Sequence, residues 1–288
     1  MNKKSFFKIV LTMCLMALPL MSLADDYPRG DCNHDGFVNV SDATTLVNFL
    51  LTSSWPGEQS NYEIYTVNGV SIKMIKVRGG FFMMGAMEGD NEARSSEKPA
   101  HQVYVKDFSI CETEVTQALW EAVMGTNPSP YNDDPNCPVE SVSWQDAQTF
   151  IGKLNILTGK SFRLPTEAEW EFAARGGNES QGYLYAGSND IADVSWNAVS
   201  RTHPVGTKSP NELGLYDMSG NVWEVCLDRY DANYYSNSPV NNPSGPSTGS
   251  QVVFRGGSWY NGASLCRVTY RDYGGFSANS HAGLRLAM

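Results

Sequence analysis

Several features that mark common protein classes are absent from this chain of 288 residues. No cluster of lysine and arginine occurs after the first few residues, and 31 acidic residues against 21 basic ones leave a net charge of −10 at pH 7. This balance argues against nucleic acid as a partner. The four histidines are scattered and no CxxC pair is present, which excludes the usual zinc motifs. The sequence also shows no repeat at a solenoid period.

Long apolar runs are also missing beyond the N-terminus, so no transmembrane segment is expected in the rest of the chain. One apolar run covers residues 9–21, where it follows three lysines and precedes small residues that end at Ala24. It is too short to span a bilayer, and we interpret residues 1–24 as a secretory signal peptide. The chain is therefore expected to be secreted, periplasmic or exposed at the cell surface. Lipid anchoring through Cys14 is the less favoured alternative, because Met13 does not fit a small-residue lipobox.

Cysteine is scarce and, after the leader, odd in number. The remaining residues are Cys32, Cys111, Cys137, Cys226 and Cys266. An oxidising compartment permits disulfides among them, but at least one thiol would stay unpaired. The sequence does not determine the pairing or the oligomeric state.

Short oxygen-bearing side chains are plentiful near the expected mature N-terminus, in the segment DCNHDGFVNVSD. Their spacing is typical of an EF-hand calcium loop, with Gly36 at the sharp turn, and an apolar face of helical period follows. The predicted calcium ligands are Asp31, Asn33, Asp35, Phe37 through its carbonyl, Asn39 and Asp42. An Asp/Asn/Gly turn without an ion is the alternative.

This loop followed by a helix resembles one repeat of a type I dockerin. A dockerin carries two such repeats and only one is recognised here, so the resemblance does not support cohesin binding. It implies a small calcium-stabilised docking or packing element instead. We place the dockerin-like element at residues 25–54, a linker at 55–64 and the main domain at 65–288.

The main domain begins with alternating and apolar runs that predict paired strands. Three helices are indicated by a capping residue at one end and a glycine at the other. Written from cap to glycine, these segments are Thr116–Gly125, Ser143–Gly159 and Thr166–Gly176. Gly, Asn, Ser, Pro and Tyr dominate after residue 182, which predicts long loops. The expected fold class is a loop-rich α+β domain.

Four ordered motifs in this domain resemble the sulfatase-modifying-factor family, that of the formylglycine-generating enzyme. They are RLPTEAEWEFAARGG at 163–177, GLYDMSGNVWEV at 214–225, FRGGSW at 254–259 and HAGLRLAM at 281–288. The resemblance extends over residues 67–288. It implies a variant C-type-lectin-like fold with few strands, short helices and long ordered loops.

A second calcium site, in the main domain, is implied by the same resemblance. Its ligands would be the carboxylates of Asp217 and Glu224 and the backbone oxygens of Gly220 and Val222. Two carboxylates that bracket a Gly-Asn turn can wrap an ion, and a solvated turn around a buried tryptophan is the alternative. The acidic run PTEAEWE is interpreted as a packing helix rather than as catalytic machinery.

The family's enzyme oxidises a substrate cysteine to formylglycine with copper(I) held by two cysteine thiolates. The second thiolate matches Cys266, a candidate catalytic residue, but the first matches Asn261. An amide oxygen is a hard donor and does not replace a thiolate on copper(I). Cys226 could supply the missing sulfur, or it could form a disulfide with Cys266; the sequence leaves both open.

The surrounding segment is rich in Tyr, Asn, Ser and Gly, the composition of adaptable binding surfaces. It resembles the variable C-terminal region of proteins diversified by retroelements, some of which use the same lectin-like fold. The predicted ligand-binding face consists of Tyr260, Asn261, Ser264, Tyr270, Asp272, Tyr273, Phe276 and Asn279. A loop-rich terminus with ordinary turn residues is the alternative.

Two functional hypotheses follow. The favoured one is a secreted, calcium-stabilised binding module that recognises a peptide, glycan or cell-surface protein through residues 259–281 and the loop 231–251. The alternative is a copper- and oxygen-dependent formylglycine-generating oxidase that acts on sulfatase-type cysteine peptides. The missing thiolate favours the first hypothesis, and the sequence does not identify the ligand.

Overall fold

A computed structural model describes residues 60–87, 90–275, 277–278 and 280–288. The chain divides into two units, residues 1–60 and 61–288, and all the helices and strands of the described residues belong to the second. The predicted signal peptide, the calcium loop from Asp31 to Asp42 and Cys32 lie outside the described residues. In the described part of the chain, no helix is long and apolar enough to cross a membrane.

Short strands build three small sheets in the described residues. The first sheet has the order β1-β2-β5, the second is the pair β3-β4, and the third has the order β8-β7-β6-β9, in which only β6 and β9 run parallel. The strand bounds are β1 Tyr62–Val67, β2 Val70–Val77, β3 Gly80–Met84, β4 His101–Val105, β5 Phe108–Cys111, β6 Trp223–Arg229, β7 Val252–Arg255, β8 Arg271–Gly274 and β9 Ala282–Gly283.

The three predicted helices are confirmed, and each begins after the expected capping residue. The bounds are α1 Gln117–Met124, α2 Trp144–Thr158 and α3 Glu167–Ala174, followed by a one-turn helix, α4 Ile191–Val194, that the sequence pattern did not indicate. Ser143 and Thr166 each accept a hydrogen bond from the backbone N–H three residues on, which completes a capping box. Gly125 and Gly159 end their helices in the left-handed conformation.

Two apolar clusters lie on opposite faces of the third sheet. Alternate residues of β7 show this arrangement, because Val252 and Phe254 belong to the cluster under α1 and α2. Val253 belongs to the cluster that contains Trp170 of α3. Burial on both faces explains why β7 begins with three consecutive apolar residues, Val252 to Phe254, rather than with an alternating pattern. The sheet that carries the GGSW turn is therefore enclosed by the core.

Helix α3 is a packing element, as predicted, but its glutamates have partners that the sequence did not reveal. Trp170, Ala173 and Ala174 are all buried in the second cluster. The glutamates form ion pairs with arginines: Glu167 with the distant Arg271, Glu171 with the distant Arg255, and Glu169 with Arg163, which lies six positions earlier. Two of these pairs are completely buried, so each charge depends on the other for stabilisation in the core.

Candidate functional site

The GGSW turn leads the chain from β7 to the predicted surface. Gly256 and Gly257 adopt φ values of 90° and 76°, which favour glycine. A Cβ atom on Gly257 would lie 2.6 Å from the Sγ atom of Cys266. The following residues are held by the backbone, since Val199 donates to the carbonyl of Trp259 and Ala198 to that of Asn261. The turn therefore fixes both Cys266 and the start of the predicted face.

Cys266 lies in the interior, where it packs against Tyr185 and Val194. The side chain is completely buried, and this burial raises the pKa of the thiol to about 12. The thiol is therefore protonated at neutral pH, whereas a metal ligand or a nucleophile requires the thiolate.

Asn261 is engaged in the turn rather than directed at Cys266. Its Oδ1 atom accepts a hydrogen bond of 2.6 Å from the Oγ atom of Ser258, and its backbone N–H donates to the carbonyl of the same serine. The position that matches the family's first thiolate thus holds a bonded amide. One buried thiol and one amide oxygen do not fit copper(I), which favours low-coordinate sulfur sites.

Cys226 supplies no second sulfur. It is buried among Val253 and other residues of the second apolar cluster, whereas Cys266 belongs to a separate cluster. Within the described residues all four cysteines are free, so the structure contains no disulfide between Cys226 and Cys266. The two roles that the sequence left open for Cys226 are not realised in this structure.

The four predicted calcium ligands of the main domain differ in their surroundings. Asp217 is buried, its Oδ2 atom accepts from the backbone of Gly206 at 2.7 Å, and its Oδ1 atom has no hydrogen-bond partner. Burial raises the pKa of Asp217 to about 6. Glu224 instead accepts hydrogen bonds from Arg285 and from the indole of Trp170.

A calcium ion at this turn would have to share Glu224 with that arginine. The described residues contain no group of three or more His, Cys, Asp or Glu side chains placed to hold a metal. Gly220 and Val222 donate their backbone N–H groups to Gly256 and Glu114. The Oδ1 atom of Asp217, which has no hydrogen-bond partner, suits a cation. Glu224 does not, because Arg285 and Trp170 already occupy its oxygens. The calcium site therefore stays a prediction.

Glu114 is a buried acid that the sequence analysis missed. It accepts hydrogen bonds from the side chain of Asn221 at 2.7 Å and from the backbone of Val222 at 3.0 Å. Burial, followed by the charge of Asp217, raises its pKa well above the usual range. Glu114 stands between a threonine and a valine in CETEVT, with a second acid two positions earlier, so the local pattern carried no signal that it is buried. Its hydrogen bonds hold the turn that precedes β6.

The exposed part of the predicted face centres on Tyr260. Two thirds of this side chain is exposed, 66%, and its ring stacks flat on the His281 imidazole with centroids 5.1 Å apart. The Trp259 ring lies edge-on to both rings. Burial lowers the pKa of His281, so the stacked imidazole is neutral at pH 7.

The remaining residues of the predicted face are dispersed. Tyr270 is a correction: it is buried beside Trp223 in the first apolar cluster, because the chain turns inward before β8. Tyr273 is about half exposed and packs on Tyr230. Ser264 is exposed, and Asp272 of β8 is partly exposed. Phe276 and Asn279 lie outside the described residues.

The strands, capped helices and long ordered loops define a C-type-lectin-like fold of the formylglycine-generating-enzyme type, and comparison with solved structures confirms the predicted fold. The chain belongs to the family of the sulfatase-modifying factor enzyme 1-like domain, whose sequence model matches residues 66–288.

Three relatives illustrate the range of this family. The chain is 30% identical over 263 residues to the chaperone protein LppX of Paenibacillus barcinonensis, which covers 73% of this chain and 86% of that protein. It is 31% identical over 261 residues to the formylglycine-generating enzyme of Streptomyces coelicolor, with coverages of 68% and 80%. The structure of Treponema denticola variable protein 1 is similar with a TM-score of 0.71 and 32% identity, over 80% of this chain and 99% of that one.

Proposed function

We propose that this protein is a secreted, calcium-stabilised binding module of the formylglycine-generating-enzyme fold. The observation that supports it most directly is the pair Asn261 and Cys266. The first is a hydrogen-bonded amide and the second a buried, protonated thiol. Copper(I) chemistry of the family's enzyme needs two thiolates at these positions.

A binding role needs no reactive group, only an accessible surface with a fixed framework. Tyr260 is such a surface residue, because its ring is exposed while the GGSW turn before it is held by backbone hydrogen bonds to Val199, Gly220 and Asn221. Rigid aromatic rings lose little conformational entropy when they bind. The chain is also similar to a protein described as variable, Treponema denticola variable protein 1, which suits the resemblance of residues 259–281 to a variable C-terminal region. The partner would be a peptide, a glycan or a cell-surface protein.

One feature favours the oxidase as a second candidate. The chain retains Cys266 and resembles a formylglycine-generating enzyme over two thirds of its length. An active site of that kind would have to expose and deprotonate Cys266 and recruit another ligand in place of Asn261.

Titration with Cu(I) under reducing conditions separates the two functions. We expect the natural protein to bind no stoichiometric copper, and to consume no oxygen with a sulfatase-type cysteine peptide. The variant Asn261→Cys is the matched control, because it places a second sulfur at the family's position. It should gain copper affinity over the natural sequence by ~10-fold or more.

The opposite outcome would refute the binding proposal. Tight copper binding by the natural protein, lost in Cys266→Ala, together with conversion of the peptide cysteine to an aldehyde seen by mass spectrometry, would establish the oxidase. Circular dichroism of each variant checks that the fold is retained.

A further inference from the structure

A buried carboxylate lies at the inner edge of the aromatic surface. Glu140 has 0% exposure, and its Oε2 atom accepts a hydrogen bond of 3.1 Å from the indole N–H of Trp259. The other oxygen, Oε1, is buried and has no hydrogen-bond partner. The backbone N–H of Glu140 donates to the Oγ atom of Ser129, which holds the residue in place. A buried acceptor left unbonded is costly, so this oxygen indicates an unfilled hydrogen-bonding position.

Aromatic rings surround the same indole. The Trp259 ring has its centroid 6.1 Å from that of Tyr131, 5.9 Å from Tyr260 and 4.8 Å from His281, all in edge-on contacts. Tyr260 and Tyr131 are 66% and 36% exposed. The outer rings thus present apolar faces to solvent while the carboxylate lies behind them. We call these five side chains the Trp259 cluster.

The charges around the Trp259 cluster are nearly balanced. Arg201 lies over the Tyr131 ring at 5.1 Å and forms a salt bridge with Asp133. Burial lowers the pKa of His281, which is therefore neutral at pH 7, and burial raises the pKa of Glu140. A cationic ligand would need a fully ionised Glu140 and would face Arg201. A neutral ligand with hydroxyl groups can bond to the carboxyl group in either protonation state.

We propose that the Trp259 cluster is a subsite for a neutral sugar ring of a glycan, an assignment that rests on the proposed binding function. The apolar face of the sugar packs on the Tyr260 and Tyr131 rings, and one of its hydroxyl groups bonds to the Oε1 atom of Glu140. That oxygen is covered in this structure, so the exposed loop 130–133 shifts when the sugar binds, and the Tyr131 ring that it carries then packs on the sugar.

The test uses the full mature chain and two probe sets. One is an immobilised panel of neutral oligosaccharides with glucose, mannose, galactose and N-acetylglucosamine units, and the other is a displayed library of random peptides. We expect at least one oligosaccharide to bind, with an affinity that changes little between ~0.05 and ~0.5 M NaCl because no ion pair is involved.

Three variants examine the contacts. Tyr260→Ala should weaken the oligosaccharide ~10-fold, because an exposed stacking surface is removed. Glu140→Gln keeps an acceptor for Trp259 and should weaken binding ~3- to 10-fold. Tyr131→Ala tests the cluster at an exposed position where folding is not at risk. Tyr62→Ala, an exposed tyrosine on β1, is the matched control and should leave binding unchanged.

The outcomes distinguish a failure of the sugar subsite from a failure of the proposed binding function. Binding of library peptides alone, sensitive to Tyr260→Ala, would overturn the glycan assignment and retain the binding function. Oligosaccharide binding that is unaffected by all three variants would place the glycan elsewhere and refute the subsite. If neither probe set binds and Tyr260→Ala has no effect on any interaction, both proposals are wrong.

Discussion

At the scale of single residues, two side chains distinguish this protein from a two-thiolate copper site. Asn261 closes a turn with Ser258, and the thiol of Cys266 is enclosed by apolar neighbours. The amide could be recognised from the sequence by its spacing from Cys266. The burial of the thiol could not, because it depends on Tyr185 and Val194, which lie more than seventy positions earlier in the chain.

Asp228 provides a prediction about pH dependence at the same scale. It is buried and accepts a hydrogen bond of 2.9 Å from the backbone of Glu167, and burial, followed by the charge of Glu167, raises its pKa well above the usual range. A carboxyl group with a raised pKa in the folded state stabilises the fold at low pH, and this contribution is lost as the pH rises through the folded pKa.

The variant Asp228→Asn retains the acceptor for Glu167 and removes the buried charge. At pH 8 we expect its melting temperature to rise by about 2–4 °C, the effect of about 1 kcal/mol in a domain of this size. Near pH 4 the difference should vanish, since the carboxyl group is then protonated in the folded state. Calorimetry at both pH values measures this, and a variant destabilised equally at both would contradict it.

At the scale of secondary-structure elements, the helices were predictable and their ion pairs were not. Thr116, Ser143 and Thr166 act within three residues of their own position, so a local pattern reveals them. Arg163 lies only six positions from Glu169, but two partners of the α3 glutamates are remote: Arg271 is 104 positions from Glu167, and Arg255 is 84 from Glu171. Only the tertiary fold brings these charges together.

Glu171→Ala tests the importance of this buried pairing. The change removes the nearer carboxylate of the fully buried Arg255 and leaves only Glu167, at 3.9 Å, and we expect it to lower the free energy of unfolding by about 3–5 kcal/mol. Glu63→Ala is the control, because Glu63 pairs with Lys76 at the surface, where solvent screens the charges, and this change should cost much less stability. Urea unfolding of both variants gives the comparison; equal losses would show that burial of the pair is unimportant.

At the scale of the whole molecule, the fold was predictable because its motifs are spread along the domain. The third sheet, which lies between the two apolar clusters, contains β7. The end of this strand and the GGSW turn that follows it both belong to the FRGGSW motif. The binding face was predicted less well. Tyr270 is buried, whereas Tyr131 and Glu140, which lie beside Trp259, were not assigned to the face. Loops from distant positions build that surface, so sequence proximity to Tyr260 was a poor guide.

Calcium is expected to bind the chain as a whole at the dockerin-like loop, whose residues lie outside those described. After treatment with EDTA, titration calorimetry should detect calcium binding that Asp35→Ala weakens ~10-fold or more, since it removes a charged ligand. Glu121→Ala, at an exposed position on α1, should have no effect. Equal affinity in both variants would contradict the predicted loop. The variant Asp217→Ala tests separately whether calcium also binds at the site predicted in the main domain.

The anchoring of an exposed aromatic surface to a sheet enclosed on both faces has an evolutionary consequence. Tyr260 belongs to neither apolar cluster, while Val253 and Phe254, a few positions earlier, belong to them. Mutations at the outer rings should therefore be nearly neutral for folding and, under the proposed binding function, decisive for what is recognised. A lineage that carries this domain can diversify its targets on a constant scaffold, with little selection against the intermediates.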